Sequence, residues 1–226
     1  NVCIRSSPRI TGCTFELHLG AFLCSTCRVP SGARAEDASD AWGALRLIDT
    51  SNAVVEDCLF RNNTVEFDAG AAISCINSSP QIRRCYFSGN VTTGGLGHDR
   101  ANGGALYLRG SSPTVDSCVF EGNLARHLGG AVYIVDSSAP IFTDCFLDSN
   151  RIEGASISRL AGGAIAVRNS SPTFVRCVVT DNFVVPWFDS YIDSILGGAM
   201  YLSGSQISIE ECTFAGNHIS GVSQEG

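Results

Sequence analysis

Apolar and polar positions along this chain follow a unit that recurs seven times. The copies register on one cysteine each: Cys13, Cys58, Cys85, Cys118, Cys145, Cys177 and Cys212. Two residues after it every copy is apolar, at Phe15, Phe60, Phe87, Phe120, Leu147, Val179 and Phe214. Three residues before it stand Ile10, Val55, Ile82, Val115, Phe142, Phe174 and Ile209. Farther upstream two apolar positions lie one residue apart, as in Leu106 and Leu108, Val132 and Ile134, Ile165 and Val167, or Met200 and Leu202. Alternate residues of a strand share a face, so each unit predicts about three short strands with an inward side. The step from Val115 to Cys118 breaks the period of two, which predicts a bend there.

The fullest unit, GGALYLRGSSPTVDSCVFEGN from Gly103, returns at Gly70, Gly129, Gly162 and Gly197, more weakly from Gly43, and without its head at Asn1. Self-similarity at such a period is the mark of a solenoid. Short β-rich units with no 3.6-residue stripe predict an all-β parallel β-helix of about seven coils, three short strands per coil, running as one segment over residues 1–226. Stacking in register turns each inward position into a ladder of like side chains about 4.8 Å apart. Asn63, Asn90, Asn123, Asn150, Asn182 and Asn217 form one such ladder, expected at a buried bend because Asn tolerates the left-handed conformation. Ser6, Ser51, Ser78, Ser111, Ser138, Ser170 and Ser205 form another at the first bend, and the Gly-Gly pair allows positive φ at the third.

The repeats carrying GGA before Ile, Leu, Val or Met, together with Phe-x-x-Asn at Phe60, Phe87, Phe120 and Phe214, resemble those of the chlamydial polymorphic outer membrane proteins over nearly the whole chain. That resemblance implies a right-handed β-helix exposed at a cell surface, with an adhesive role. Right-handedness also follows from the general preference of β crossovers. No segment resembles an autotransporter membrane barrel. The first residue falls within a coil, so a segment of a longer chain, or a subunit with covered ends, is expected.

Charge and cysteine usage narrow the classes. With a net charge of −7 and only 16% charged residues, the chain has no electrostatic footprint for nucleic acid, and no apolar run is long enough for a membrane-spanning helix. Of 11 cysteines, seven form the ladder; Cys3 and Cys75 are placed at an inward first-strand position equivalent to Leu47 and Leu108, as buried thiols. Parallel in-register side chains have poor disulfide geometry, so no zipper of bridges is expected. Cys24 and Cys27, in a loop, suggest a local disulfide, and no metal site or cofactor is expected. Opposite charges at Glu56 and Asp57, then Arg83 and Arg84, then Asp116, favour the proposed register.

Every excursion leaves between the Asn bend and the Gly-Gly bend, so all map to one edge, which is how solenoids build a binding face. The loop of coil six carries Trp187, Phe188, Tyr191 and Ile192 without Lys or Arg: anchors for a protein partner or a second copy, or a lid folded over its own helix. Outside the first strands, Tyr107 and Tyr133 should stack on adjacent coils, stabilising the sheet or offering a strip to a glycan. Of four sequons, Asn90 belongs to the inward ladder and is not expected to carry a glycan, whereas Asn77 and Asn169 flank an outer bend; the fourth starts at Asn62. The sequence therefore suggests a non-catalytic extracellular or cell-surface shaft, adhesive or structural, with no catalytic residues. The alternative is a carbohydrate-active β-helix enzyme, for which His98, Asp99 and Arg100 are the sole polar cluster with catalytic ingredients.

Overall fold

One residue per coil turns the second strand into the third. Gly12, Asp57, Arg84, Ser117, Asp144, Arg176 and Glu211, each directly before its register cysteine, have φ between 49° and 64°. A left-handed L-residue costs about 1–2 kcal/mol, and the bend satisfies its polar groups by stacking. Its amide donates to the next coil, as from Ser117 to the Thr143 carbonyl at 2.9 Å. The cysteine thiol donates to the carbonyl two residues back, at 3.1 Å for Cys58 and 3.3 Å for Cys118. The ladder cysteines are therefore free thiols that cap a strained bend as well as small core residues.

The computed structural model describes residues 2–4, 7–18, 21–22, 43–66, 68–94, 101–154, 159–186 and 194–220. Equivalent strands of successive coils pair in parallel and in register. First strands such as Leu106–Arg109 form sheet I, second strands such as Thr114–Asp116 sheet II, and third strands such as Val119–Glu121 sheet III. These are the three predicted rows. A fourth row, sheet IV, comes from the residues that open the excursions: Thr64–Glu66, Val91–Thr93, Leu124–Ala125, Arg151–Gly154, Phe183–Pro186 and His218–Ile219.

Sheets I, II and III enclose one continuous core. Phe15, Phe60, Phe87 and Phe120 stack face to face, with centroids 4.5–5.0 Å apart, against aliphatic residues across the bend. In coils five and six the arrangement reverses, with Phe142 and Phe174 stacked at 4.9 Å on the second strand and Leu147 and Val179 on the third, and coil seven returns to Ile209 and Phe214. One aromatic and one aliphatic side chain per coil keep the enclosed volume constant, which close packing requires. In coil seven the inward residues Leu202, Ile209 and Phe214 are exposed because no further coil covers them among the described residues.

Two expectations need correction. The ladder asparagines are not the left-handed residues; that role falls to the position before each, Asn62, Gly89, Gly122, Ser149, Asp181 and Gly216. The ladder Asn is freed to bond along the stack. Asn123 donates through Nδ2 to Asn150 Oδ1 at 2.9 Å and to the Phe87 carbonyl at 3.0 Å, while its Oδ1 accepts from Asn90 N and Nδ2. The second correction concerns Cys3, which pairs with Arg46, while Ile4 pairs with Leu47. Across the first bend, Ile4 to Ile10 is six positions against seven or eight between the equivalent residues of the other coils, which shifts the register of the first strand. Where that bend is a residue longer, two consecutive residues are left-handed, Asp49 with Thr50 and Asp136 with Ser137.

The serine ladder lies where expected: Ser78 N donates to Ser111 Oγ and Ser111 N to Ser138 Oγ, at 3.1 and 3.0 Å. At the third bend the first glycine of each pair has positive φ, from 60° at Gly103 to 74° at Gly162. The second lies so close to the next coil that a Cβ on Gly163 would meet the Gly198 oxygen at 2.0 Å.

Candidate binding edge

The edge from which the excursions leave has its own small core. Alternation resumes after the ladder Asn, so Ala125, Ile152 and Val184 of sheet IV point away from solvent and pack with Leu160 and Ile195. Leu160 and Ile195 lie on Arg159–Ala161 and Ser194–Leu196, the returning arms of the coil-five and coil-six excursions, which pair as a two-stranded parallel sheet. Both excursions thus leave and return as ordered strands. Leu128 of coil four bridges to Ala161 and extends this layer by one coil.

The returning arms also cover part of sheet I. Tyr107 and Tyr133 stack at 5.9 Å with 22° between their planes, as the sequence suggests. Tyr133 is 5% exposed and packs with Val135, Ala166 and Leu128. Tyr107 is half-buried, and burial pushes its hydroxyl above the ordinary tyrosine range. In coil seven the Arg159 guanidinium lies 5.4 Å over the Tyr201 ring and donates to its hydroxyl, while Nε donates to Ser194 Oγ at 3.1 Å. On this face the edge of Tyr107 and the Arg159–Tyr201 pair stay open to a ligand.

Trp187, Phe188, Tyr191 and Ile192 lie outside the described residues, as do Cys24, Cys27, His98, Asp99 and Arg100. The structure places their stems: Val184 is buried, and Pro186 ends the outgoing strand as a buried residue. The coil pattern alone predicts loop for this stem. Its signal was an apolar or small residue seven positions after most register cysteines, at Val65, Thr92, Ala125, Ile152, Val184 and Ile219.

The charges on the strands pair across coils. Arg84 binds Asp57 at 2.8 Å and reaches Glu56, which also receives Arg9. Arg61 binds Glu16 at 2.7 Å and Arg176 binds Asp144 at 2.7 Å. The guanidiniums beside Asp57 and Asp144 hold those carboxyls below the usual range. Among the sequons, Asn90 is fully buried with its amide committed to the ladder, and Asn62, Asn77 and Asn169 are exposed.

No helix among the described residues is long and apolar enough to cross a membrane. No curated protein and no solved structure matches the chain. One protein family does, under the description of a right-handed beta helix region, and the match runs over residues 5–214. Those limits hold nearly all of the seven coils built above, so handedness joins strand order and register, and the chain belongs to the right-handed β-helix family.

Proposed function

We propose that this chain is a non-catalytic extracellular or cell-surface shaft, and that its role is to hold the excursions of coils four to six against another molecule. The observation that carries this reading is the paired stems. Arg159–Ala161 and Ser194–Leu196 run parallel and share an apolar cluster with sheet IV, so the strands that flank residues 187–193 form an ordered, packed base. Rigid scaffolds that present variable loops on one edge are suited to recognition. The repeats resembling chlamydial surface proteins point to adhesion as the purpose. Four carboxylates of the shaft support the same reading, since Glu16, Glu56, Asp57 and Asp144 are engaged by arginines of neighbouring coils. Glycoside chemistry would instead need two carboxyls facing each other across a cleft.

The test compares the whole chain with a Trp187→Ala, Phe188→Ala, Tyr191→Ala variant, each displayed on beads and exposed to cell-surface material from the native source. Retention by the parent and loss in the variant, at equal thermal midpoint, is the expected result. Release of soluble oligosaccharides from a panel of polysaccharides would overturn it in favour of an enzyme.

A further inference from the structure

The outer face of sheet III carries a second feature, remote in function from the loop edge. The residue directly after each register cysteine points to solvent, and in five consecutive coils it is apolar: Leu59, Tyr86, Val119, Phe146 and Val178. Tyr86 and Phe146 are 37% and 39% exposed, and the other three are half-buried. Strand pairing sets them in one straight row, about 19 Å from first to last at roughly 4.8 Å per rung. The solvent face of a sheet normally alternates to polar residues, so a continuous apolar row asks for cover.

The order along the row says what the cover is. From either end it reads aliphatic, aromatic, Val119, aromatic, aliphatic. Beside it run the exposed bend residues Asp57, Arg84, Ser117, Asp144 and Arg176. Reversing that second row exchanges Asp57 with Arg176 and Arg84 with Asp144, and leaves Ser117 on itself. A two-fold axis through coil four, in the plane of the face and perpendicular to the shaft, therefore matches both rows at once. Leu59 meets Val178, Tyr86 meets Phe146, Val119 meets its mate, and all four charges meet an opposite one. Within each copy Arg84 is already held by Asp57 and Arg176 by Asp144, so the axis would close two clusters of four alternating charges around a dry apolar seam.

We propose that a second copy of this chain docks on this face, antiparallel and side by side. Five rungs by the width of a strand and its bends give about 400–500 Å² per copy, which puts the pair at the small end of specific interfaces. Near the axis Glu121 and Asp116 each approach their own mates, and the Tyr86 hydroxyl donates to Glu121. Small area and these like-charge meetings make the association weak and concentration-dependent.

Sedimentation velocity on the whole chain across a concentration series reads the association directly. A monomer–dimer equilibrium is expected, weakened about tenfold or more by Phe146→Ser, which removes one aromatic anchor. Glu121→Gln is expected to tighten it. Because Phe146 is exposed, the variant should retain the parent circular dichroism. The fourfold exchange Asp57→Arg, Arg84→Asp, Asp144→Arg, Arg176→Asp keeps the 57–84 and 144–176 pairs within a copy, giving up the Arg84–Glu56 contact, and keeps all four charge meetings between like copies. It should self-associate as the parent does, yet fail to capture differently tagged parent. A parent that stays monomeric throughout the series, or an exchanged chain that mixes with the parent as readily as with itself, overturns the proposal.

Discussion

Replacing Asn123 with Ala tests the inward polar ladder where it matters most, at the centre of the stack. Four hydrogen bonds of 2.9–3.0 Å disappear with the side chain. Two of the losses leave a partner elsewhere: Asn90 Nδ2 keeps the Phe60 carbonyl, and Asn150 Oδ1 keeps the Asn123 amide. The Phe87 carbonyl keeps its place in the parallel ladder of third strands, so the group that is orphaned is the Asn90 amide, in a rung with no solvent access at Asn90 or Asn123. A buried unsatisfied group costs about 1–3 kcal/mol, so the substitution should destabilise the chain by roughly 2–4 kcal/mol once lost packing is included. Asn217→Ala is the internal control. It breaks equivalent bonds to Asn182 and Val179, but at the half-exposed last rung, where water can replace them, and should cost about 1 kcal/mol. Urea unfolding followed by circular dichroism compares the two. Equal losses, or a change below about 0.5 kcal/mol at Asn123, would refute the reasoning, since that is the range of surface substitutions.

Three further outcomes follow from the geometry. Gly130→Ala would place a Cβ 2.0 Å from the Gly163 oxygen and should force the coils apart, whereas Gly122→Ala meets nothing and should cost only the left-handed strain of about 1–2 kcal/mol; thermal melts of both rank them. In the native state a thiol reagent should modify Cys212, which is partly exposed, and spare Cys58, Cys85, Cys118 and Cys145. Those four are buried, and Cys85 is pushed up to about 12 by the Cys118 thiol beside it, as timed labelling and peptide mass spectrometry would show. Asp57 and Asp144 titrate below 3.8 when folded, so the stability their arginines confer is present above that value and lost as pH falls through the lower folded one; Arg84→Met with Arg176→Met should flatten stability against pH in that acidic window, measured by urea midpoints.

The coil was legible because each of its constraints recurs at one residue position. Cysteine, phenylalanine, serine and asparagine mark separate ladders, and seven copies average out the exceptions. Sheet IV was missed because its inward position tolerates Val, Thr, Ala and Ile, and because the excursions that follow vary in length. Cys3 was misplaced because register was carried upstream from Cys13 at fixed spacing, and the first bend of coil one is shorter. The apolar row on sheet III was visible as the residue between each cysteine and its inward Phe, Leu or Val. The tyrosines of sheet I are the more conspicuous signal, although Tyr133 is covered by its neighbours Val135, Ala166 and Leu128. The tip at 187–192 could be singled out by composition alone, since recognition residues need no repeat.

The role of that tip is the centre of the account. Because all 15 basic residues of the chain are arginines, amine-directed reagents have no side chain to use, and a photo-cross-linking residue at position 188 is the direct probe. Illuminated on native surface material, it should yield a reproducible link to one other macromolecule. Links confined to sheet I or sheet IV of the same chain would show a lid closed on its own shaft, and would contradict the binding edge.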